Sequence, residues 1–469
     1  MVPLKIKEII KATGGNLISG NPLLKVWNIS TDTRTLLKGD LFIALKGENF
    51  DGHAFLEEAF EKGAIGAVVS KGCKIESAKI KNKIIIKVED TLKALGDIAK
   101  TYREKFSIPV IAVTGSNGKT TTKEMLAYIL SMRFSTLKAR ASFNNFIGLP
   151  LTLLEIKSGT QVVILEMETN LIGGTRRLCE IAHPKIGIVT NIGNTHLEYL
   201  KTKEGVYNEK LELIESLPVD GVAILNFDDP FVARMKEFAR TKIIVSFGIE
   251  NKSHFSASNI KIKDTFLEFI LNDNYKVRLN TISKSNVYNA LAAIAVAHLV
   301  FGLNLRQVIT NLRGLRFPPM RMELINFSSK GKFNSTIKED IKIINDSYNA
   351  NPQSMQEALF TLKNINTSGR KIAVLGSMLE LGKRTLDFHY RIGRLCASCQ
   401  TNILVTVGEL ASHIADGARE SGMPEENIYV CDNIQKTINI LSDILRPKDV
   451  ILIKGSRSTK MERLIDALY

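Results

Sequence analysis

The stretch from Ile111 to Thr122, IAVTGSNGKTTT, contains the residue types that bind a nucleotide phosphate. Gly115 and Gly118 let the backbone close around an anion, because glycine has no Cβ to obstruct the approach. Lys119 adds a positive charge, and Thr120 adds a hydroxyl for a magnesium ion. The spacing Gly-x-x-Gly-Lys-Thr is shorter than the common Walker A spacing. We predict a phosphate-binding loop here, against the alternative of a chance glycine turn before a helix.

Further polar side chains follow two other apolar runs. Glu166 and Glu168 come directly after the run 162–165, and His196 comes shortly after the run 188–190. Ligands of parallel sheets bind beyond the carboxyl ends of strands, so these side chains are predicted to lie beside the phosphate loop. Magnesium prefers oxygen ligands, and imidazole is a less usual one. Two interpretations of His196 therefore remain open: a magnesium ligand, or a structural histidine held by hydrogen bonds.

Hydrophobic patterning predicts the elements that position these residues. Val110 to Val113 is a short apolar run typical of a strand buried on both faces, and the helix from Lys119 carries one apolar stripe. From about residue 90 to 314 strands and helices alternate, with predicted strands at 110–113, 162–165, 186–190, 222–226 and 243–247. A second α/β unit follows, with predicted strands at 341–345, 372–375, 403–407, 428–430 and 450–453.

The fold class we predict is α/β with three domains, as the length of 469 residues suggests. Residues 1–88 form a small mixed α/β N-terminal domain with a helix at about 55–62. Residues 89–314 form a central P-loop domain with a parallel sheet, and residues 315–469 form a C-terminal doubly wound, Rossmann-like domain. Polar clusters follow strands in both larger domains, which indicates a cleft closed by domain movement.

The composition bounds the class of protein. The first residues are too charged for a signal peptide, and no apolar run of about 18 residues could span a membrane. We therefore expect a cytoplasmic protein without membrane insertion. A net charge of +15 raises the possibility of nucleic-acid binding, but the lysines are spread along the chain and no nucleic-acid-binding motif occurs. A basic surface that suits a polyanionic small substrate is the preferred interpretation.

The five cysteines argue against a disulfide framework, because their number is odd and their spacing irregular. Cys396 and Cys399 form a lone C-x-x-C inside a predicted helix, with no second pair and no histidine cluster nearby. We therefore prefer free thiols to a zinc or redox site. In the N-terminal domain, Ser30, Asp32 and Arg34 could bind a polar ligand, but turns use the same residue types and a turn is favoured by chemistry alone.

Four motifs together resemble the Mur ligases, the ATP-dependent enzymes that build the peptide stem of peptidoglycan. They are TGSNGKT at 114–120, SFNNFIGLP at 142–150, TNIGNTHLE at 190–198 and DSYNANP at 346–352. The resemblance covers the whole chain, and YNANP is its most diagnostic part. It implies ligation of D-alanyl-D-alanine to UDP-N-acetylmuramoyl-tripeptide through an acyl phosphate. ATP, Mg²⁺ and these two small molecules would then be the ligands of a monomer that binds no nucleic acid.

The resemblance also implies roles for individual residues. The implied ATP-binding residues are Gly115, Ser116, Asn117, Gly118, Lys119, Thr120, Thr121, Asn289, Arg321 and Asp346. The implied substrate-binding residues are Ser30, Asp32, Arg34, Asn144, Asn145, Asn349, Asn351, Lys454, Ser456 and Arg457. The implied metal ligands are Thr120, Glu166, His196 and Lys210, the last as a carbamate, and the implied catalytic residues are Lys119, His196 and Lys210. A carbamate turns the lysine cation into an anion that accepts magnesium.

Two alternatives remain open. One is another amide ligase of the same superfamily, such as the ligase that adds the third residue or a folylpolyglutamate synthase. The other is a P-loop ATPase that acts on a macromolecule. The chain also differs from the usual family pattern at four positions, which are Glu168, Gly174, Ser285 and Ser377.

Overall fold

The computed structural model describes residues 1–47, 50–74, 82–327 and 341–468. The N-terminal elements are β1 (Leu4–Lys5), α1 (Ile6–Thr13), β2 (Asn16–Ser19), β3 (Lys25–Val26), β4 (Ile29–Ser30), β5 (Leu41–Ile43), α2 (Leu56–Glu61), β6 (Gly66–Ser70) and β7 (Ile84–Val88). In the described residues they form a five-stranded sheet in the order β2-β7-β6-β5-β4 and a separate pair of β1 with β3. Only β2 is antiparallel to its neighbour in the larger sheet.

The first half of the central unit contains the phosphate loop. Its elements are α3 (Thr91–Arg103), β8 (Val110–Thr114), α4 (Lys119–Leu130), β9 (Thr136–Lys138), α5 (Gly148–Leu154), β10 (Val162–Glu166), α6 (Gly174–Ala182), β11 (Ile186–Val189) and α7 (Leu197–Leu200). The whole of β8 is buried, because β10 and β11 flank it and helices cover both faces. The predicted strands here are confirmed to within one residue at each end.

The second half extends the same sheet. Its elements are α8 (Lys203–Glu215), β12 (Val222–Asn226), α9 (Pro230–Arg234), β13 (Ile243–Gly248), β14 (Phe255–Ile262), β15 (Leu267–Leu271), β16 (Tyr275–Leu279), α10 (Ser285–Ala295) and α11 (Leu305–Leu312). The sheet order is β16-β15-β14-β13-β12-β11-β8-β10-β9.

The predicted parallel central sheet is confirmed, and the structure adds an antiparallel edge to it. β15 pairs antiparallel with both β14 and β16, and the sequence analysis placed no strand in these segments. The signal is the alternation of buried Leu267, Phe269 and Leu271 with more exposed residues, which is typical of a sheet with one solvent-facing side. Asn272 and Asp273 have positive φ and close the turn to β16.

The C-terminal unit is a six-stranded sheet in the order β17-β18-β22-β19-β20-β21 within the described residues. Its elements are β17 (Glu323–Phe327), β18 (Ile341–Asp346), α12 (Pro352–Asn364), β19 (Lys371–Gly376), α13 (Thr385–Ser398), β20 (Ile403–Val407), α14 (Ser412–Glu420), β21 (Ile428–Cys431), α15 (Ile434–Ile444), β22 (Val450–Lys454) and α16 (Glu462–Leu468). All neighbours are parallel except β17, which pairs antiparallel with β18.

Continuous apolar clusters join the three units. One cluster contains Tyr207 and Leu225 of the central unit together with Met355 and Met378 of the C-terminal unit. Another joins the N-terminal sheet to α3 and α6. Among the described residues no helix combines the length and apolar character that a membrane crossing needs. The five cysteines are free, and all but Cys73 are buried.

Candidate active site

The main cleft lies where the carboxyl ends of β8, β10 and β11 face the loops after β18 and β22. Chain order reverses around β8, and such a switch point is where ligands of open α/β sheets bind. The cleft has a volume of about 630 Å³. Predicted site residues that line it are Ser116, Asn117, Gly118, Lys119, Thr120, Thr121, Asn144, Glu166, His196, Asn289, Arg321, Asp346, Asn349, Asn351, Lys454, Ser456 and Arg457.

The phosphate loop needs glycine at two positions. Gly115 has φ +136° and Gly118 has φ +85°, values that other residues rarely adopt. A Cβ at Gly115 would lie 2.0 Å from Oγ1 of Thr190, and one at Gly118 would lie 2.4 Å from Oδ1 of Asn289. The Nζ of Lys119 donates to the carbonyl of Gly115 at 2.7 Å and to that of Ser116 at 3.2 Å. The loop therefore curves tightly around the lysine ammonium.

Glu166 lies at the end of β10 and connects the loop to its surroundings. Its Oε2 accepts a hydrogen bond of 2.8 Å from the Thr120 hydroxyl, and its Oε1 accepts one of 2.9 Å from the Asn144 amide. The same amide lies 3.5 Å from Oε2 of Glu168. The Glu166 and Glu168 carboxylates thus both lie next to the Asn144 side chain, beside the phosphate loop.

Lys123 is a functional candidate that the sequence analysis missed. Its ammonium is fully buried, 3.9 Å from Oε2 of Glu166, and it donates to the carbonyls of Ala139 at 2.8 Å and Ala141 at 2.6 Å. Burial lowers the pKa of Lys123, although Glu166 and Glu124 oppose that shift. Its position one helical turn after Lys119 was the available signal, because it places a lysine on the loop-facing side of α4.

His196 lies between two carboxylates. Its Nδ1 is 2.5 Å from Oε2 of Glu380, and its Nε2 is 3.2 Å from Oε1 of Glu168. Burial alone would lower the pKa of His196, but the hydrogen bonds to Glu168 and Glu380 outweigh it and raise the pKa. His196 and Glu380 also connect the central and C-terminal units at this edge of the cleft. No feature of the sequence pointed to Glu380.

Lys210 lies on α8, behind the cleft wall rather than in it. Its side chain is fully buried, and its Nζ has no hydrogen-bond partner among the described residues. Burial lowers the pKa of Lys210 to about 8, against the attraction of Glu168. A buried amine without a partner is costly, so this side chain suits a modification that replaces the cation.

Acidic side chains alone supply only some of the ligands that a magnesium ion would need at this site. No group of three or more His, Cys, Asp or Glu residues in the described ranges is arranged to hold a metal. The oxygens of Glu166 and Thr120 meet at 2.8 Å, and both are of the type that Mg²⁺ prefers. A carbamate on Lys210 would add an anionic ligand in place of the amine, which has no hydrogen-bond partner among the described residues. The donor set therefore fits a magnesium ion that also takes phosphate oxygens.

The C-terminal wall carries the other predicted ATP residues. The Arg321 guanidinium lies 3.9 Å from the ring centre of Tyr348. Oδ2 of Asp346 is 2.5 Å from Nζ of Lys454, which also donates to the Asn349 carbonyl at 2.9 Å. The register explains this contact, because β18 and β22 are parallel and pair Asp346 with Lys454.

Asn289 and Glu357 border the same part of the cleft. The Asn289 side chain is buried, accepts from the Thr122 hydroxyl at 3.2 Å and donates to Asn286 at 3.0 Å. Glu357 was not predicted, and burial raises its pKa to about 7. No spacing in the sequence distinguishes this glutamate from others on helix surfaces.

Asn351 connects the two walls. Its Oδ1 accepts from the backbone N–H of Ser354 at 2.9 Å and so caps α12, which begins at Pro352. Its Nδ2 donates to Oδ1 of Asn117 in the phosphate loop at 2.8 Å. Asn349, in contrast, accepts through its Oδ1 from the N–H of Ala350, at 2.9 Å.

Ser456 and Arg457 follow β22 at the cleft edge. The Ser456 hydroxyl accepts from the backbone N–H of Leu379 at 3.0 Å, and Nη1 of Arg457 is 2.9 Å from Oε1 of Glu462. Ser456 thus holds the loop after β19 in place, whereas the exposed Arg457 is available to a ligand.

Four predicted substrate residues lie outside the cleft wall. The Oδ1 of Asn145 accepts from the N–H groups of Ile147 and Gly148, so it supports the start of α5. Ser30, Asp32 and Arg34 form a compact turn after β4, in which Arg34 pairs with Asp32 at 2.6 Å. Hydrogen bonding from Arg34 lowers the pKa of Asp32 to about 2.

Comparisons with known proteins assign this architecture to a class of ligase. Three family models match successive stretches of the chain: the catalytic domain of the Mur ligase family at 25–103, the Mur ligase middle domain at 113–297, and the glutamate ligase domain of Mur ligases at 321–457. The fold and site are thus those of a three-domain ligase. The chain belongs to the Mur ligase family.

Individual relatives extend over the full length. The UDP-N-acetylmuramoyl-tripeptide--D-alanyl-D-alanine ligase of Bacillus subtilis is 34% identical over 100% of this chain and 99% of its own. A crystal structure of MurF from Acinetobacter baumannii superposes with a TM-score of 0.87 at 31% identity, covering 99% of both chains. The MurF ligase of Thermotoga maritima in complex with ADP gives a TM-score of 0.80 at 28% identity, covering 94% of this chain and 96% of that one.

Proposed function

We propose that this protein is an ATP-dependent ligase that joins D-alanyl-D-alanine to UDP-N-acetylmuramoyl-tripeptide in peptidoglycan synthesis. The observation that carries the proposal is the cleft in which the phosphate loop faces residues 348–351. Full-length similarity to ligases of this activity supports the choice of substrates.

The nucleotide would lie along the phosphate loop. Residues 115–121 supply backbone N–H groups at the start of α4, where the helix dipole favours an anion, and Lys119 supplies the charge. Asn289 borders the space for the base. Arg321 and Asp346, on the opposite wall, would contact phosphate or ribose.

Residues at the other end of the loop would hold magnesium. Thr120 and Glu166 supply oxygen ligands, His196 lies close by, and Lys210 contributes once carbamylated. When bound, Mg²⁺ neutralises charge that builds up on the transferred phosphoryl group. Lys123 keeps the Glu166 carboxylate in place from behind.

The chemistry has two steps. The γ-phosphoryl of ATP passes to the terminal carboxylate of the tripeptide, which leaves ADP and an acyl phosphate, while Lys119 stabilises the phosphoryl oxygens. The dipeptide amine then attacks the acyl carbon, loses a proton, and expels phosphate as the amide bond forms. Because water would hydrolyse the acyl phosphate, the packed central and C-terminal walls serve to exclude it.

Asn144, Asn349, Asn351, Lys454, Ser456 and Arg457 would form the substrate end of this cleft. Asn145 would support it through α5, and Ser30, Asp32 and Arg34 would contact the uridine nucleotide in the N-terminal domain. We propose domain boundaries after residues 88 and 314, which fall between β7 and α3 and between α11 and β17. We also propose a cytoplasmic monomer, since one chain supplies every wall of the cleft and both substrates of the first step are nucleotides.

A phosphate-release assay tests the proposal. We expect phosphate only when ATP, Mg²⁺, UDP-N-acetylmuramoyl-tripeptide and D-alanyl-D-alanine are all present, with L-alanyl-L-alanine as the matched control for the dipeptide. Release that needs neither small substrate, but rises with nucleic acid or protein, would support the macromolecular ATPase instead. Turnover with a free amino acid in place of the dipeptide would indicate another ligase of the family.

A further inference from the structure

Glu168 makes an unusual contact with the phosphate-loop lysine. Its Oε1 lies 2.7 Å from Nζ of Lys119 and 3.2 Å from Nε2 of His196. The Glu168 side chain lines the cleft and is 23% exposed, whereas that of Lys119 is only 7% exposed. Among the described residues, Glu168 is the carboxylate paired with this lysine. The Glu168 carboxylate therefore pairs with the Lys119 ammonium, the group that a nucleotide phosphate would contact.

The Glu168 carboxylate lies between two nitrogen-bearing side chains, with its Oε1 2.7 Å from the Lys119 ammonium and 3.2 Å from the His196 ring. A phosphate brought to Lys119 would therefore meet a second negative charge at hydrogen-bonding distance from the same nitrogen. Like charges repel strongly in a partly buried site, because little water screens them.

A divalent cation beside Glu166 would relieve this repulsion. The Asn144 amide contacts both carboxylates, at 2.9 Å for Glu166 and 3.5 Å for Glu168, so the two acidic groups are close neighbours. A cation held by Glu166 and Thr120 would therefore act on Glu168 as well. Carboxylate oxygens are hard ligands that suit Mg²⁺.

We propose that Glu168 couples nucleotide binding to the divalent cation: it holds Lys119 when Mg²⁺ is absent, and Mg²⁺ neutralises it and frees Lys119 for phosphate. This inference rests on the proposed function, because it takes Lys119 as the phosphate ligand. By linkage, the same coupling makes Mg²⁺ bind more tightly when nucleotide is present.

Calorimetric titration with ADP, in EDTA and in saturating Mg²⁺, tests the coupling without any turnover. Glu168→Gln keeps the size of the side chain and removes its charge. In EDTA we expect this variant to bind ADP about 5- to 150-fold more tightly than the unaltered protein, the usual range of a coupling between two sites. In saturating Mg²⁺ the two proteins should differ much less, so the Mg²⁺-dependence of the ADP Kd should shrink.

Two further variants keep the test specific. Glu155→Gln is the matched control, because it removes one carboxylate outside the cleft lining, where Glu155 pairs with Arg140, and leaves the partner of Lys119; its Mg²⁺-dependence should equal that of the unaltered protein. Glu168→Ser serves as a second variant should Glu168→Gln lose its native circular dichroism. It should show the same gain in EDTA.

The outcomes separate this inference from the proposed function. If both Glu168 variants bind MgADP but gain no affinity in EDTA, Glu168 does not compete for Lys119 and the coupling is refuted. An equal gain in Glu155→Gln would also refute it, because general loss of negative charge would then explain the effect. If the unaltered protein binds ADP in neither condition, the nucleotide site itself is wrong.

Discussion

Removing the Asn351 side chain should weaken both the start of α12 and its contact with the phosphate loop. Loss of an N-cap costs about 1 kcal/mol, with a range of roughly 0.5 to 2. Loss of the hydrogen bond to Asn117 costs about 0.5 to 1.5 kcal/mol more. We therefore expect Asn351→Ala to lower the free energy of unfolding by about 1 to 3.5 kcal/mol. At about 2 to 4 °C per kcal/mol, the scaling for domains of roughly 150 to 250 residues, that corresponds to a fall in Tm of about 2 to 14 °C.

Asn351→Ser separates the two contributions. A serine hydroxyl caps a helix about as well as asparagine, but it is too short to reach Asn117. This variant should lose only about 0.5 to 1.5 kcal/mol. In both variants the phosphate loop loses one support, so the KM for ATP should rise by a similar factor of up to about tenfold.

Thermal unfolding, followed by circular dichroism, and steady-state kinetics on the same preparations provide the measurement. Amide hydrogen exchange of the first turn of α12 would locate the loss. If Asn351→Ala unfolds at the temperature of the unaltered protein, the capping argument is wrong. If both variants keep their Tm but raise the KM for D-alanyl-D-alanine, Asn351 contacts the dipeptide directly instead.

Three further predictions follow from the site. Lys119→Ala should abolish phosphate release while circular dichroism stays native, because a charge-assisted contact of about 1.5 to 3 kcal/mol is lost, and more in the transition state; near-normal turnover would refute the phosphate loop. His196→Ala should raise the Mg²⁺ concentration that gives the half-maximal rate, because a metal ligand or its support is removed. An unchanged Mg²⁺ titration would indicate that His196 has a structural role instead. Lys210→Ala should be inactive but partly restored by small carboxylic acids, whereas a fully active Lys210→Arg would exclude a carbamate.

The lowered pKa of Lys210 sets the pH dependence of its modification. Carbon dioxide reacts with the neutral amine, and a pKa of about 8 leaves about a tenth of the amine in that form at pH 7, far more than for an ordinary lysine. Carbamate occupancy, and activity with it, should rise with bicarbonate and as pH increases towards 8. Mass spectrometry under non-denaturing conditions, together with rates in bicarbonate-depleted buffer, would check this. An activity that does not change with bicarbonate concentration would contradict carbamylation of Lys210.

Local signals were enough for the phosphate loop and for the ten strands predicted in the two larger units. Glycine spacing, a buried apolar run and a helix start occur within residues 110–122, so short-range chemistry defines them. The same holds for the polar segments after β18 and β22, since strand ends can be located from the sequence and parallel strands bring them together.

Contacts between distant segments could not be predicted in the same way. The pairing of Glu168 with Lys119, of Glu380 with His196 and of Asn351 with Asn117 depends on how whole units pack. Asn351 shows the limit clearly, because capping and substrate binding require the same residue type. The edge strands β14 to β16 were missed for another reason: their alternation is short and interrupted by polar residues.

The buried Lys123 ammonium has a consequence for inhibitors. It is shared by the Glu166 carboxylate and by the carbonyls of Ala139 and Ala141, which precede the segment with Asn144. A compound that displaces this segment from α4 would also displace Lys123, and with it the support of Glu166, the proposed metal ligand. Such a compound need not resemble ATP to slow ATP use. Resistance by altering Lys123 would in turn weaken the support of Glu166, which we propose as a magnesium ligand.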